Sequence, residues 1–146
     1  MFVADKLLLR KEIEVAGIAF GNSQWSSSAT PSTLWDVDSS NPVGDVVTAT
    51  NTVEEAARRP NVGVIGGGLW RHIKQHPDML DRIKGAAGPG QPAILTQQAI
   101  AALFELETIL IGRGMKDTGA EGGTSTRARI WGLHMLILYV TGSPSL

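Results

Sequence analysis

The chain has 146 residues, no cysteine and a formal net charge of −1, from thirteen Lys and Arg against fourteen Asp and Glu. This length and a hydrophobic content of 42% are typical of one globular domain with a core, and they argue against a disordered chain. The lack of cysteine excludes disulfide scaffolds and cysteine-ligated metal sites. The balanced charge argues against an autonomous nucleic-acid-binding domain, which needs an excess of cations to displace counterions from phosphates.

Two helices are predicted in the first part of the chain. Residues 5–20 mix apolar and charged side chains without proline, as in an amphipathic helix. A loop rich in Ser, Thr and Gly follows over residues 21–32. The run Ser39-Ser40-Asn41-Pro42 is typical of a helix start with proline as the first helical residue. Valines at helical spacing continue this second helix to Arg58-Arg59 in its last turn, and Pro60 stops it.

The middle of the chain predicts a strand, helices and a second strand. Residues 61–66 have the β-branched content of a short buried strand. The run Gly66-Gly67-Gly68 then turns the chain into a helical stretch that Pro77 interrupts. Thr96 is suited to cap a short helix that runs through Leu103, and residues 107–111 predict the second buried strand.

The last part of the chain predicts a flexible connection and more strand. Residues 112–127 are rich in Gly and Thr, and residues 128–140 predict a strand pair or one bent strand. The longest apolar stretch, residues 130–140, has about half the length that a membrane-spanning helix requires, and the first residues carry no signal-peptide pattern. The order of elements predicts an α+β fold with a mixed central sheet flanked by helices.

Three groups of residues could carry chemistry, and each has a simpler explanation. The run Gly66-Gly67-Gly68 lacks the spacing of a dinucleotide-binding loop and the Gly-Lys-Ser/Thr of a Walker loop, so a tight turn is preferred. His72 and His76 have a spacing that can hold a metal, but no glutamate follows the first, so surface histidines are preferred. His134 lies in a predicted apolar strand without a nucleophile motif, which favours a core or interface histidine.

Several segments, taken in chain order, resemble pieces of one known family. They are Arg10-Lys11-Glu12 with Ala16, Trp35-Asp36, Ser40 to Val46, Pro60 to Gly66, Leu69 to Lys84, Ala99 to Leu106, Ile109 to Gly114, Ile130-Trp131-Gly132 and Leu138-Tyr139-Val140. In this order and spacing they are similar to the major capsid proteins of tailed bacteriophages, which have the Hong Kong 97-type coat fold.

This resemblance implies a role and an organisation. Residues 1–24 would form the end of a spine-like helix and a linker, and residues 25–146 an axial-domain-like α+β domain with a C-terminal return strand. The chain would be a structural subunit of a phage or prophage capsid shell, not an enzyme. Its partners would be other coat subunits, in pentamers and hexamers, with no cofactor, metal, membrane or specific nucleic acid. It would lie in the virion, and in the host cytoplasm during assembly.

A shell subunit works through contacts with its neighbours, so the resemblance also directs attention to candidate interface residues. Two tryptophans bracket the Ser-rich loop, and three cations lie in or beside the connection 112–127. These candidates are Trp25, Trp35, Arg113, Lys116 and Arg127. For the two tryptophans, packing onto the domain's own core is an equally good alternative.

Coat proteins of this family are usually longer than this chain, with an N-terminal arm and an extended hairpin loop. The resemblance therefore implies a fragment of a coat protein or a truncated gene, monomeric or weakly associated in isolation. Two alternatives stay open. One is a small α/β enzyme that binds a nucleotide or phosphate at Gly66-Gly67-Gly68, and the other is a nonviral shell protein of the encapsulin type.

Overall fold

The computed structural model describes residues 3–21, 24–25, 27–56, 58–87, 95–120 and 122–142. Within these ranges the chain forms five helices and five strands. In chain order they are α1 (Val3–Ala19), α2 (Pro42–Ala56), β1 (Val62–Gly66), α3 (Gly67–Gln75), α4 (Pro77–Ala87), α5 (Gln97–Leu103), β2 (Thr108–Gly112), β3 (Met115–Asp117), β4 (Arg127–Arg129) and β5 (Met135–Leu138). Residues 22, 23 and 26 of the predicted Ser-rich loop lie outside the described residues.

A mixed three-stranded sheet lies at the centre of the fold, in the order β2-β1-β5. Strand β1 pairs with β2 in parallel, so that Val64 is opposite Leu110, and with β5 in antiparallel orientation, so that Val64 is also opposite Leu136. Because β1 is central, its backbone groups pair with strands on both sides. Its β-branched sequence predicts such a buried strand. The predicted α+β class with a mixed sheet is confirmed.

Helix α2 begins where the sequence predicts. The Asn41 side-chain oxygen accepts a hydrogen bond from the Gly44 amide at 3.0 Å, which satisfies one of the unpaired N–H groups of the first turn. Pro42 is the first helical residue. The other end was predicted too late, because the helix ends at Ala56 and Arg58-Arg59 lie beyond it. Pro60 disfavours helical geometry in the residue before it, and this keeps Arg59 out of the last turn.

Proline also divides the next helical stretch, as predicted. Helix α3 ends at Gln75, the next residue, His76, is extended with φ of −68° and ψ of 128°, and Pro77 begins α4. Thr96 caps α5 by accepting a hydrogen bond from the Ala99 amide at 3.1 Å. Both predicted boundaries are therefore confirmed.

The hydrophobic core lies between the central sheet and the helices that pack on it. Its largest completely buried side chains come from β1, β2, helices α2 to α5 and the residue after α5. They are Pro42, Val46, Ile65, Ile73, Met79, Ile100, Phe104 and Ile109. Helix α1 contributes little to burial, since Ala16 and Ala19 are its buried residues.

The region after β2 differs from its prediction. The predicted flexible connection 112–127 contains β3, which forms an antiparallel ladder with β4. The predicted strand pair over residues 128–140 is instead the end of β4 and the whole of β5, which belong to two different sheets. Such short strands carry too few residues for a readable period. In the described part of the chain, no helix has the length and apolarity needed to cross a membrane.

Candidate interaction surface

The three predicted cationic interface residues lie on or beside one hairpin. Lys116 is the middle residue of β3 and is opposite Ala128, while Arg127 begins β4 opposite Asp117. Arg113 precedes β3 by two residues. Arg113 and Arg127 are exposed and Lys116 is half-buried. The hairpin therefore presents positive charge to solvent.

One carboxylate organises the loop at the end of this hairpin. Asp117 Oδ1 accepts hydrogen bonds from the amides of Gly119 at 2.9 Å and Thr126 at 3.0 Å, and Oδ2 accepts one from the Ser125 hydroxyl at 2.6 Å. The Ser125 hydrogen bond, followed by the Gly119 amide, holds the pKa of Asp117 below its ordinary value of 3.8. Asp117 is not among the residues predicted from the sequence, although Asp two positions before Gly in a polar loop is a recognised turn signal.

The two candidate tryptophans have different environments. The Trp35 ring packs into the core, and its indole N–H donates to Asp45 Oδ2 at 2.7 Å, which joins the loop before α2 to the first turn of that helix. Trp35 thus follows the core alternative. The Trp25 side chain is 44% exposed, and its indole N–H donates to the carbonyl of Ala19 at the end of α1. Trp25 is the tryptophan of this pair that a partner can reach.

The second half of α1 docks on the segment between β4 and β5. The Trp131 indole N–H donates to Glu12 Oε1 at 2.7 Å. The Phe20 ring meets the Trp131 ring edge-on, with 5.8 Å between centroids, and lies 4.9 Å from the His134 ring. A Cβ at Gly112 would lie 2.2 Å from the Trp131 ring, so this ring covers the end of β2.

Several apolar side chains of α1 are exposed to solvent. Val3, Leu7 and Leu8 in its first half are 75%, 62% and 66% exposed, and Val15 and Ile18 in its second half are also exposed. An exposed apolar helix face of this kind is typical of an interaction surface. This face therefore runs along the length of the helix.

The predicted position of His134 was wrong. It lies in the connection before β5, its side chain is exposed, and it stacks on Phe20 instead of being buried in a strand. Its backbone carbonyl accepts a hydrogen bond from the Gly66 amide at 3.0 Å, which continues the β1–β5 ladder. The apolar residues that follow it, Met135–Leu138, are the ones that form the strand.

The glycine run after β1 serves close packing. A Cβ at Gly66 would lie 2.2 Å from the carbonyl oxygen of Gly132, and a Cβ at Gly68 would lie 2.8 Å from Leu133 Cδ2. Gly66, Gly67 and Gly68 are all buried. The preferred interpretation of a tight turn is therefore supported, and the nucleotide-binding alternative is not favoured.

The two histidines of α3 do not share a site. His72 is exposed as predicted, but His76 is buried, so the prediction of a surface histidine was wrong for it. His76 Nε2 lies 2.9 Å from Ser40 Oγ and 3.2 Å from the Val37 carbonyl, and the Asp78 amide donates to Nδ1 at 3.3 Å. These contacts tie the loop before α2 to the corner between α3 and α4. Among the described residues, no group of three side chains could hold a metal ion.

An open groove of about 520 Å³ runs between α5 and β2. Its lining includes Thr96, Gln97, Ala101 and Glu107. The Gln97 side-chain amide crosses to the sheet and donates to the Ile109 carbonyl. The groove is remote in sequence from the glycine run, and with a single carboxyl in its lining it has no acid–base pair.

Two curated relatives match nearly the whole chain. The major capsid protein of Burkholderia phage BcepMu is 27% identical in an alignment 143 residues long, which covers 93% of this chain and 43% of that protein. The major capsid protein of Pseudomonas phage JBD67 is 23% identical in an alignment 137 residues long, which covers 91% of this chain and 43% of that protein. The chain is similar to phage major capsid proteins. The resemblance predicted from the sequence is thus confirmed, although no family model matches the chain.

A solved structure shares the fold. It is a phage-related protein from Bordetella bronchiseptica RB50, with a TM-score of 0.80 and 24% identity over 97% of this chain and 45% of that one. This likeness supports the α+β architecture described above. The chain spans less than half the length of the two major capsid proteins and of the solved protein that it matches.

Proposed function

We propose that this chain is a structural subunit, or part of one, of a phage or prophage icosahedral capsid, and that it works through protein contacts instead of catalysis. The observation that carries the proposal is that two phage proteins named major capsid protein each cover more than 90% of the chain. Both names denote shell components, which favours a structural role of this chain over an enzymatic one. The proposed fold family is the Hong Kong 97 type.

Within this proposal the chain has two parts. Residues 1–24 are the end of a spine-like helix with its linker, and residues 25–146 are an axial-domain-like unit. The low burial of α1, whose buried residues are Ala16 and Ala19 and whose apolar side chains are exposed in both halves, supports this division. The partners are other coat subunits, arranged as pentamers and hexamers, and the protein reaches the virion after assembly in the host cytoplasm.

The proposed contact residues are those that solvent reaches. They are Trp25, Arg113, Lys116 and Arg127, on the loop after α1 and on the β3–β4 hairpin. Trp35 is left out because its ring is part of the core. Aromatic and arginine side chains are the types that dominate binding energy at protein interfaces.

The function is tested in particles made by the phage or prophage that encodes the chain. Particles are purified on a density gradient, and their proteins are quantified by mass spectrometry. A shell subunit is present in many copies, so peptides from residues 59–84 should rank among the most abundant in the particle. Purified particles that lack these peptides would contradict the proposal.

The enzyme alternative is tested by thermal unfolding of the purified chain with a nucleotide or inorganic phosphate. A bound ligand at one hundred times its Kd stabilises a protein by about 2.7 kcal/mol, which is readily measured as a rise in Tm. We expect no rise with adenosine triphosphate, a nicotinamide dinucleotide or phosphate. A concentration-dependent rise with any of them would favour the alternative.

A further inference from the structure

The β3–β4 hairpin is short for the loop that it carries. Its ladder pairs Met115 with Arg129, Lys116 with Ala128 and Asp117 with Arg127. An isolated two-stranded hairpin is marginally stable at best in water. The two described ends of the loop, residues 118–120 and 122–126, therefore need support beyond these strands to stay together.

The Asp117 side chain supplies this support at both ends of the loop. At the start of the loop it accepts from the Gly119 amide, and at the end it accepts from the Ser125 hydroxyl and the Thr126 amide. Hydrogen bonds to an ionised acceptor are roughly twice as strong as bonds between neutral groups. One carboxylate thus joins the two ends of the loop.

Backbone geometry next to the carboxylate fits the same arrangement. The Thr118 amide donates to the Thr126 carbonyl at 2.7 Å, and the Thr118 hydroxyl donates to the same oxygen at 3.1 Å. A Cβ at Gly119 would lie 2.5 Å from the Thr124 carbonyl oxygen, so the two sides of the loop meet closely there. The chain can approach itself in this way because residue 119 is glycine.

We propose that the ionised carboxylate of Asp117 holds the two ends of the loop, residues 118–120 and 122–126, together, and that removing its charge releases these ends while the central sheet keeps its structure. The device is local, because the three groups that donate to the carboxylate belong to the loop itself. The hairpin then presents its three cations in one arrangement. They are Arg113, Lys116 and Arg127.

The charged groups around Asp117 favour its ionised form. Arg127 is directly across the ladder, and its positive charge contributes to the lowered pKa of Asp117 after the hydrogen bonds of the loop. Lys116 lies on the other face of β3, because successive side chains alternate. Glu12 of α1 is near Gly114 and Trp131, at the base of the hairpin.

The direction of the pH effect follows from this pKa. A carboxyl whose folded-state pKa lies below its ordinary value of 3.8 adds stability above that value, and the stability is lost as the pH falls through the lowered pKa. The hydrogen bonds to the carboxylate are therefore made at neutral pH. They are lost as the pH falls through the lowered pKa of Asp117, so the two ends of the loop stay joined at neutral pH.

The test compares Asp117→Ala and Asp117→Asn with the wild-type chain at neutral pH, using backbone amide NMR. Asp81→Asn, at an exposed position of α4, is the matched control. In Asp117→Ala the Gly119 and Thr126 amides should exchange about 10- to 100-fold faster, as expected for the loss of hydrogen bonds to a charged group. Order parameters of the loop should fall from about 0.85 to below about 0.6.

The expected pattern is graded and local. Asp117→Asn keeps an oxygen acceptor without the charge, so its effect on loop exchange should be intermediate. Asp81→Asn should have no effect on the loop, and the amides of β1 should exchange at the wild-type rate in all three variants.

A loop that stays ordered in Asp117→Ala overturns the proposal, and so does an equally large increase in amide exchange in β1. In wild type, the loop should lose order as the Asp117 carboxyl carbon titrates. A loop that stays ordered after protonation also overturns it. None of these outcomes bears on the capsid role, which is tested in particles.

Discussion

At Gly66 the chain passes from β1 into α3 with no room for a side chain. The carbonyl oxygen of Gly132 lies 2.2 Å from where a Cβ would stand, and this oxygen belongs to the backbone, which moves with difficulty. We expect Gly66→Ala to destabilise the fold by about 1–3 kcal/mol, as overpacking does in tight interiors. The measurement is the urea midpoint, followed by tryptophan fluorescence.

The matched control for this change is Gly85→Ala. Gly85 lies in α4, and a Cβ there would meet nothing within 4 Å. Because alanine is a better helix former, this substitution should leave stability unchanged or raise it by about 0.5–1 kcal/mol. Equal midpoints for the two variants would contradict the assignment of Gly66 to close packing.

Asn61 closes the end of the β1–β5 ladder with its side chain. Its Nδ2 donates to the Val140 carbonyl at 3.0 Å, and its Oδ1 accepts from the Val140 amide at 2.8 Å. Asn61→Ala removes both hydrogen bonds, so we expect a loss of about 1–3 kcal/mol in the free energy of unfolding. Asn51→Ala, at an exposed position of α2, should have little effect. Equal losses of unfolding free energy in Asn61→Ala and Asn51→Ala would contradict a specific role of the two Asn61 hydrogen bonds.

At the scale of elements, α1 depends on its second half for docking. Phe20→Ala removes the ring that contacts both Trp131 and His134. We expect the amides of α1 to exchange faster in this variant and the total tryptophan emission to shift to longer wavelength, because the Trp131 ring becomes more exposed. In the isolated chain, Leu8→Ala should change neither observable, since Leu8 is 66% exposed. Faster exchange in Leu8→Ala would indicate that the first half of α1 is also docked.

The elements that could be predicted are those whose signals are local. Asn41-Pro42 marks the start of α2, Pro77 the break between α3 and α4, and Thr96 the start of α5, because capping groups and proline act within a few residues. Strand β3 was missed, since its three residues have no period and its partner β4 follows only after a loop. The burial of His76 was missed for a related reason, because its partners Val37 and Ser40 are far away in sequence.

The candidate surface was predictable only in part. The cations Arg113, Lys116 and Arg127 were recognised as contact candidates, but the carboxylate that orders their hairpin was not. The contact between Glu12 and Trp131 joins residues at opposite ends of the chain, and no sequence pattern reports such a pair. The core position of Trp35 could not be predicted from the sequence, because an aromatic residue beside a polar loop can pack in the core or contact a partner.

At the scale of the whole molecule, the proposed shell role predicts a particular behaviour of the purified chain. Contacts of a capsid subunit are spread over its length, and this chain corresponds to 43% of each major capsid protein that it matches. We therefore expect a monomer or a weak, concentration-dependent association, measured by light scattering after size-exclusion chromatography. A stable closed shell formed by this chain alone would contradict this expectation.

Charge reversal on the hairpin tests the proposed contacts in the encoding phage. Arg127→Glu places a negative charge beside Asp117 and should lower the yield of complete particles, measured by electron microscopy and infectivity. Arg82→Glu on α4, where Arg82 pairs with Asp78 at 3.0 Å, is the control for a general effect of charge. Full particle yield in Arg127→Glu would exclude this residue from the contacts.

The hydrogen bond from the Gln97 side-chain amide to the Ile109 carbonyl affects whether a foreign strand can add to the central sheet. Strand β2 is at one edge of the central sheet, and unpaired edge carbonyls are where foreign strands add and aggregation begins. Because Gln97 already occupies the Ile109 carbonyl, an incoming strand would have to displace that amide before it could extend the sheet. This hydrogen bond therefore protects one position of the β2 edge against the addition of a foreign strand.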